Sequence, residues 1–330
     1  MITAKEIAKQ LNISEASVSI ALNGRPGVSE ALRRKIRETA LEMGYDFSRL
    51  SHDEHINAIC FIIYIKSGAV VSDTPFFDKL FAGVAAECKK HKVQLIMEYV
   101  NGTKELNSLV NRLPLDTGLI LLATEMSEID CEPIVNSQHF YVIMDAYFES
   151  INSNYVLINN VKGAYTATEY LINKTGKQPG YLRSSYPIAN FDERADGFYK
   201  AIRAHGMSTS SCIVHKLTPS AEGAYLDLMD CLESGEKLAP CYFADNDLIA
   251  AGAIRAFKAK NYRIPEDIAI IGFDNVPMCE WLDPPLSSVN VPKEYMGSQA
   301  VLRLLSIMGN KDQNHVKIEI ETELVKLKSC

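Results

Sequence analysis

Apolar positions follow two different rhythms along the chain. Over the first 45 residues they recur at helical spacing: Ile7, Ala8 and Leu11, then Val18, Ala21 and Leu22, then Leu32, Ile36 and Ala40. Start signals sit where those helices need them. Thr3-x-x-Glu6 is a capping box, and Ser14 and Ser29 are N-cap candidates. Only Asn12-Ile13 separates the first two helices; asparagine tolerates the left-handed backbone of so tight a corner, and Ile13 can plug the angle. The pattern predicts a helix-turn-helix with a third packing helix, ending near Gly44-Tyr45. Residues 46–56 are polar and acidic with no sustained period, and read as a linker.

Beyond the linker, short apolar runs alternate with amphipathic stretches. Strand-like runs at Ala58–Ile65, Val93–Tyr99, Gly118–Ala123 and Tyr141–Asp145 are separated by helical patterns near Phe77–His91 and Glu105–Leu113. The rhythm restarts with helix Val161–Thr175, strand Gly180–Arg183, helix Asp192–His205, strand Cys212–His215, helix Ala221–Ser234, strand Cys241–Ala244, helix Asp247–Lys260 and strand Ala269–Phe273. A further strand and the helix Gly297–Ile307 follow within 289–310, and Val316–Ile320 and Leu324–Leu327 read as late strands. The fold class expected is therefore a helix-turn-helix head, residues 1–45, on an α/β body, residues 57–330, of two doubly wound parallel-sheet lobes. Lobe one is placed at about 57–158 and 289–316, and lobe two at about 159–288 and 317–330.

Composition narrows the class. With 47% apolar and 23% charged residues, the 330-residue chain fits a globular protein of two or three compact units rather than a disordered or fibrous one. No apolar run approaches a membrane span, and the N-terminus has no signal-peptide core, so no membrane partner is expected. Eight cysteines, none in a C-x-x-C pair and most inside apolar runs, read as reduced buried thiols in a cytoplasmic protein. His52 and His55 stand three apart with no third ligand nearby, so no metal is expected, and no cofactor. The net charge of −7 argues against nucleic acid, but it is unevenly spread: residues 1–50 carry +2 and the remaining 280 carry −9.

The chemistry follows the same division. On the second helix Glu15, Ala16, Ser19 and Ile20 share one side while Val18 and Ala21 face the other, so one side packs and the other can enter a DNA major groove. Short serines and Asn23 suit phosphates, and basic residues at 33–37 supply salt-sensitive attraction. The body carries no G-x-G-x-x-G after a strand, no P-loop, no H-E-x-x-H and no G-x-S-x-G. It carries polar residues at predicted strand ends instead: Asp145, then Asp245-Asn246-Asp247, then Asp274. Ligands of open α/β sheets bind at those ends. With Arg194 opening a helix and Phe76-Phe77 preceding another, a cleft between lobes would offer carboxylates, an amide, a guanidinium and aromatic faces, which suits a hydroxyl-rich sugar.

These residues carry a resemblance. Ile2-Thr3-Ala4-Lys5-Glu6-Ile7-Ala8-Lys9, Ile13-Ser14-x-x-Ser17-Val18-Ser19-x-Ala21-Leu22-Asn23-Gly24-x-Pro26-Gly27-Val28-Ser29 and Leu41-x-x-Gly44-Tyr45 follow the head signature of the lactose-repressor/galactose-repressor family. In the body, Thr74-Pro75-Phe76-Phe77, Arg194-x-x-Gly197-Phe198, Ile264 to Asn275 and Pro285-Leu286-Ser287-Ser288-Val289-x-x-Pro292 extend it nearly end to end. The resemblance implies a non-enzymatic transcription factor, a repressor, that binds a near-palindromic double-stranded operator as a homodimer and closes a periplasmic-binding-protein-like body on a small effector. It places Glu15, Ala16 and Ile20 at base-reading positions and Ser14, Ser17, Ser19 and Asn23 at phosphate-facing ones. Phe76, Phe77, Asp145, Asn190, Arg194, Asn246 and Asp274 fall at or near effector-contacting positions. Two departures stand out: many relatives carry Arg where Ile20 stands, and many carry an A-R-x-L hinge helix where this linker is shorter, acidic and offers only Leu50. The rival class, a sugar-processing enzyme with an accessory head, needs a nucleophile–base pair or a cofactor loop in the cleft, and the sequence shows neither.

Overall fold

The computed structural model describes residues 2–22, 27–45, 58–71, 75–309 and 314–330. Asn23 and the expected linker 46–56 lie outside the described residues.

The head is three helices, α1 (Ala4–Leu11), α2 (Glu15–Leu22) and α3 (Glu30–Glu42), closed over Ile7, Val18, Ile36 and Ala40. Glu6 Oε2 accepts from the Thr3 backbone N–H at 2.7 Å while the Thr3 hydroxyl caps the Glu6 N–H, which completes the capping box. Asn12 turns the corner in the left-handed region at φ 51°, ψ 47°. Arg33 departs from its expected role. It is buried, and its guanidinium donates to the Ile20 and Ala21 carbonyls at 3.4 and 3.1 Å, closing the carboxyl end of α2 instead of facing DNA.

The body contains, in order, β1 (Ala58–Ile65), α4 (Pro75–His91), β2 (Gln94–Asn101), α5 (Gly102–Arg112), β3 (Thr117–Leu122), α6 (Glu132–Val135), β4 (Tyr141–Met144) and β5 (Tyr155–Ile158). It continues with α7 (Asn160–Thr175), β6 (Gly180–Ser184), α8 (Ala189–Ala204), β7 (Val214–Leu217), α9 (Ala221–Glu233), β8 (Cys241–Ala244), α10 (Asp247–Ala259) and β9 (Ala269–Asp274). The last elements are β10 (Ser287–Asn290), α11 (Lys293–Met308), β11 (Lys317–Ile320) and β12 (Glu323–Val325).

Two six-stranded sheets result, ordered β11-β5-β4-β3-β1-β2 and β12-β10-β9-β8-β6-β7. The first is parallel throughout; in the second only β12 runs antiparallel. Helices cover both faces, which is why central strands such as β3 read as unbroken apolar runs and are buried at every position. The short strand β5 carries no separate signal in the pattern, because Tyr155–Ile158 follows closely on a polar loop.

The chain passes between the sheets three times, after β5, after β10 and after β11. The Asn159 N–H donates to the Ile320 carbonyl at 2.9 Å, so two of these crossings are hydrogen-bonded to each other. One expectation changes here. Residues 317–320, assigned from sequence to lobe two, pair with β5 in the first sheet, and the tail returns to the second sheet only with β12. Period alone gives a strand but not its partner, since the edges of both sheets offer the same hydrogen bonds.

Helix pairs meet at glycines. A Cβ on Gly83 of α4 would lie 2.0 Å from the Glu294 carbonyl oxygen of α11, and one on Gly297 would lie 2.3 Å from the Leu80 carbonyl oxygen. Backbone cannot yield as a side chain tip can. Gly83→Ala is therefore expected to destabilise the protein by about 1–3 kcal/mol or more, whereas Gly102→Ala, whose Cβ meets nothing within 4 Å, is expected to cost only its positive-φ strain. Urea unfolding of the two variants checks the order.

Candidate functional site

Both sheets reverse their winding between neighbouring strands, β1 and β3 in the first and β6 and β8 in the second, and crevices at such points are where open sheets bind ligands. A cleft of about 480 Å³, counted with its open mouth, lies there. All seven body residues named from sequence line it: Phe76, Phe77, Asp145, Asn190, Arg194, Asn246 and Asp274. Asp247, named from sequence among the strand-end polar residues, also lines it, as do Val70, Thr124, Ile188, Phe191 and Val276, which were not singled out. Thr124 stands two residues after β3, so a strand-end signal was present for it; Val70, Ile188, Phe191 and Val276 are ordinary apolar residues with no chemical mark.

Arg194 is the hub. Buried on α8, it donates through Nε to Asn160 Oδ1 at 2.9 Å, through one terminal nitrogen to the Asp245 carbonyl, and through the other to Asp274 Oδ1 at 3.1 Å. Its guanidinium also lies 3.8 Å above the Phe273 ring centroid. Asn160 in turn donates to Asn190 Oδ1 at 3.3 Å and Glu193 Oε2 at 2.8 Å, so the first residue of α7 is fixed by the same network.

The carboxylates divide the work. Asp247 accepts from the Ser288 hydroxyl and from the Val276 N–H at 2.9 Å, and Asp245 accepts from the Tyr181 hydroxyl and the Ser184 N–H, so both brace strand ends. Asn246 uses Oδ1 to cap α10 through the Ile249 N–H at 2.9 Å, leaving its amide nitrogen to donate. Asp145 is different. Its backbone sits at φ 63° beyond β4, Oδ2 accepts from the Thr124 hydroxyl at 2.6 Å, and the buried Oδ1, with the Asn190 amide nearby, has no hydrogen-bond partner of good geometry among the described residues. A buried acceptor without a donor is costly unless a ligand provides one. Asp274, at φ 104°, likewise ends its strand in the left-handed region, a conformation retained where the surroundings impose it.

Burial dominates the electrostatics. It pushes Asp145 up to about 6, with the Thr124 hydroxyl and Arg194 opposing, and Asp245 up to about 7 against its Tyr181 and Ser184 hydrogen bonds. Asp247 rises to about 7 through burial and the nearby Asp274 charge, and Asp274 is itself raised by burial, opposed by Arg194 and Lys293. Burial thus raises all four carboxyls, and Arg194 opposes the rise at Asp145, Asp245 and Asp274.

In the head, Glu15, Ala16 and Ser19 are exposed on one side of α2, Ser17 and Ile20 are half-buried, and Val18 faces the core. The Ser14 hydroxyl accepts from the Ser17 N–H at 3.0 Å and so caps α2. Ile20 lies beside Gly27, where a Cβ would stand 3.6 Å from its side chain.

The raised acids set a pH signature. An aspartate with its folded pKa raised stabilises the fold most below about pH 4 and loses that contribution as pH rises through its folded value. Between pH 4 and pH 8 the ligand-free protein is expected to lose about 3 kcal/mol relative to Asp145→Asn, the amount a rise to about 6 corresponds to. Urea unfolding of both proteins across that range measures the difference; parallel curves would contradict it.

Residues 168–330 match the periplasmic binding protein-like domain family. A ribose operon repressor of Haemophilus influenzae is 27% identical, with 98% of this chain and 97% of that protein aligned. The HTH-type transcriptional repressor PurR of Mannheimia succiniciproducens is 27% identical, with 100% and 98% aligned. Among solved structures, a cellobiose complex of the transcriptional regulator CelR superposes with a TM-score of 0.74 at 22% identity over 100% of both chains. The Lac repressor bound to ONPG superposes with a TM-score of 0.71 at 18% identity over 100% and 99%. The relatives align through head and body together, and the two-sheet architecture is shared over the same length. Along its whole length the chain is similar to transcriptional regulators of the lactose-repressor/galactose-repressor family.

Proposed function

We propose that the protein is a cytoplasmic transcriptional repressor: the head, residues 1–45, reads a near-palindromic operator, and the body, residues 57–330, dimerises and binds a small sugar or sugar derivative between its lobes. One observation carries the effector assignment. Among the described residues Asp145 Oδ1, buried at the junction of the lobes, has no hydrogen-bond donor, and a sugar hydroxyl supplies one. Asp274, Asn190 and the Asn246 amide add polar partners, and the edge-to-face pair Phe76–Phe77, with centroids 5.0 Å apart, offers apolar surface to a sugar's C–H face. Ribose and cellobiose appear in the names or complexes of relatives, which supports the same ligand class.

Ligand control of DNA affinity requires that the effector bind one lobe arrangement better than the other, and that this difference reach the heads. Arg194 is a poor probe, because its removal leaves Asn160 and Asp274 without a donor and loosens the fold itself. Asp145→Asn keeps the volume and the Thr124 contact. It is expected to abolish the response of operator binding to the effector while leaving ligand-free affinity unchanged, as read by fluorescence anisotropy on an operator recovered from genomic fragments, with a panel of pentoses, hexoses and disaccharides. An unaltered response would remove the cleft from the account.

In the head, Glu15 is assigned to a cytosine N4 amine and Ile20 to a thymine methyl, since a carboxylate at the groove is tolerated only where it accepts a hydrogen bond. Glu15→Gln is expected to relax preference at one symmetric position by roughly 1–3 kcal/mol. A uniform gain in affinity across single-base operator variants would instead mean that Glu15 serves only the first turn of α2. A single 45-residue head has too few contacts for specific binding, so the operator complex needs two. Sedimentation at micromolar concentration is expected to give a dimer; a monomer with and without operator would contradict it.

A further inference from the structure

A second polar cluster lies on the far side of the second sheet. His215 is the second residue of edge strand β7, Cys231 is near the end of α9, and Glu236 follows it. The local fold explains the meeting. After α9, Gly235 takes φ +74°, the Gly235 N–H donates to the Leu232 carbonyl, and the Glu236 N–H donates back to the Cys231 carbonyl at 3.1 Å, a left-handed helix end that folds Glu236 alongside Cys231. Strand β7 packs under the same helix and brings up His215. The imidazole Nδ1 stands 3.0 Å from Glu236 Oε2, and one donor atom from each of the three residues lies within 4.8 Å of the others. The cluster sits at the amino-terminal edge of β8, whereas the effector cleft follows its carboxyl end, so the two are separate sites.

We propose that His215, Cys231 and Glu236 form a binding site for a zinc-class divalent cation, with solvent as the fourth ligand. Nitrogen, thiolate and carboxylate are the donors zinc takes, at about 2.0–2.3 Å. Tetrahedral geometry at those lengths sets donors about 3.3–3.6 Å apart, so the Nδ1–Oε2 pair opens slightly and the sulfur closes in. The half-exposed Glu236 carboxylate has room to make that adjustment, and it opens the site to solvent.

The second contact of the ring fits the same role. His215 Nε2 lies 3.1 Å from the Tyr242 hydroxyl, which also accepts from the Ala239 N–H at 2.8 Å. With its proton on Nε2 the ring donates to Tyr242, the arrangement that orients metal-bound histidines. The Nδ1 lone pair then faces a carboxylate, a contact that a cation between them makes favourable. A proton on Nδ1 is the competing occupant. Burial and Glu236 push the Cys231 thiol up to about 11, so at neutral pH the metal forms its bond to sulfur by displacing the thiol proton to solvent. Binding therefore strengthens as pH rises. The three protein donors then carry two negative charges against the two positive charges of the ion.

Titration of the full-length protein, stripped of metal, with cobalt(II) tests this directly, because a thiolate-to-cobalt charge-transfer band and intense tetrahedral d–d bands report the site among eight cysteines. One equivalent is expected to develop both, zinc is expected to displace it, and the zinc-loaded protein is expected to melt at a higher temperature than the stripped one. Cys231→Ser is expected to remove the charge-transfer band, Glu236→Gln on its exposed loop to weaken binding, and Tyr242→Phe to weaken it by roughly 10–100-fold, the usual effect of losing an orienting partner. Absence of a one-equivalent band, or a band of unchanged strength in Cys231→Ser, would overturn the proposal and leave the cluster as a hydrogen-bonded brace.

Discussion

A guanidinium taken out of water has to be hydrogen-bonded and charge-compensated, and much of this body is arranged around that demand. Arg194 meets it with Asn160, the Asp245 carbonyl and Asp274, and with the face of Phe273. Each partner belongs to a different part of the second lobe. Asn160 begins α7 where the chain leaves the first sheet, Asp245 directly follows β8, and Asp274 ends β9. Satisfying one side chain therefore fixes a crossing segment and two strand ends together, and the cleft floor is their common surface.

The same network explains how an event in the cleft can act at a distance. The crossings are few and coupled: Asn159 is hydrogen-bonded to Ile320, and Lys293, at the head of α11, donates to the carbonyls of Asp274, Asn275 and Val291. A ligand that draws Asp145 of the first lobe toward Arg194 and Asp274 of the second works against those three segments, whose rotations are the available soft coordinates. Packing elsewhere is stiff. Gly83 and Gly297 bring α4 and α11 into backbone contact, and Gly197 and Gly252 do the same for the helices of the second lobe, so the helix pairs within each lobe are tightly packed.

Legibility in the sequence followed the physics of each feature. The head was readable because its helices carry their own caps, Thr3 with Glu6 and Ser14 with Ser17, and a corner that needs Asn12. The strand-end acids were readable because parallel sheets direct polar residues there. Strand β5 was missed and β11 was given to the wrong sheet, since four-residue strands identify themselves by pairing, not by period. Arg33 was counted with the basic residues that supply salt-sensitive attraction, because charge alone does not say whether a guanidinium faces water or the end of a helix. The cluster of His215, Cys231 and Glu236 was invisible because its members are 16 and five residues apart, and only a helix end and an edge strand bring them together.

The central claim is that occupancy of the cleft and occupancy of DNA are linked through one equilibrium. Linkage demands reciprocity: whatever factor a sugar changes operator affinity by, saturating operator must change sugar affinity by the same factor. Calorimetric titration of the effector into the protein, alone and bound to its operator, measures this. The account predicts that the two factors agree, typically at 5–150-fold, and a sugar affinity indifferent to bound operator would contradict it.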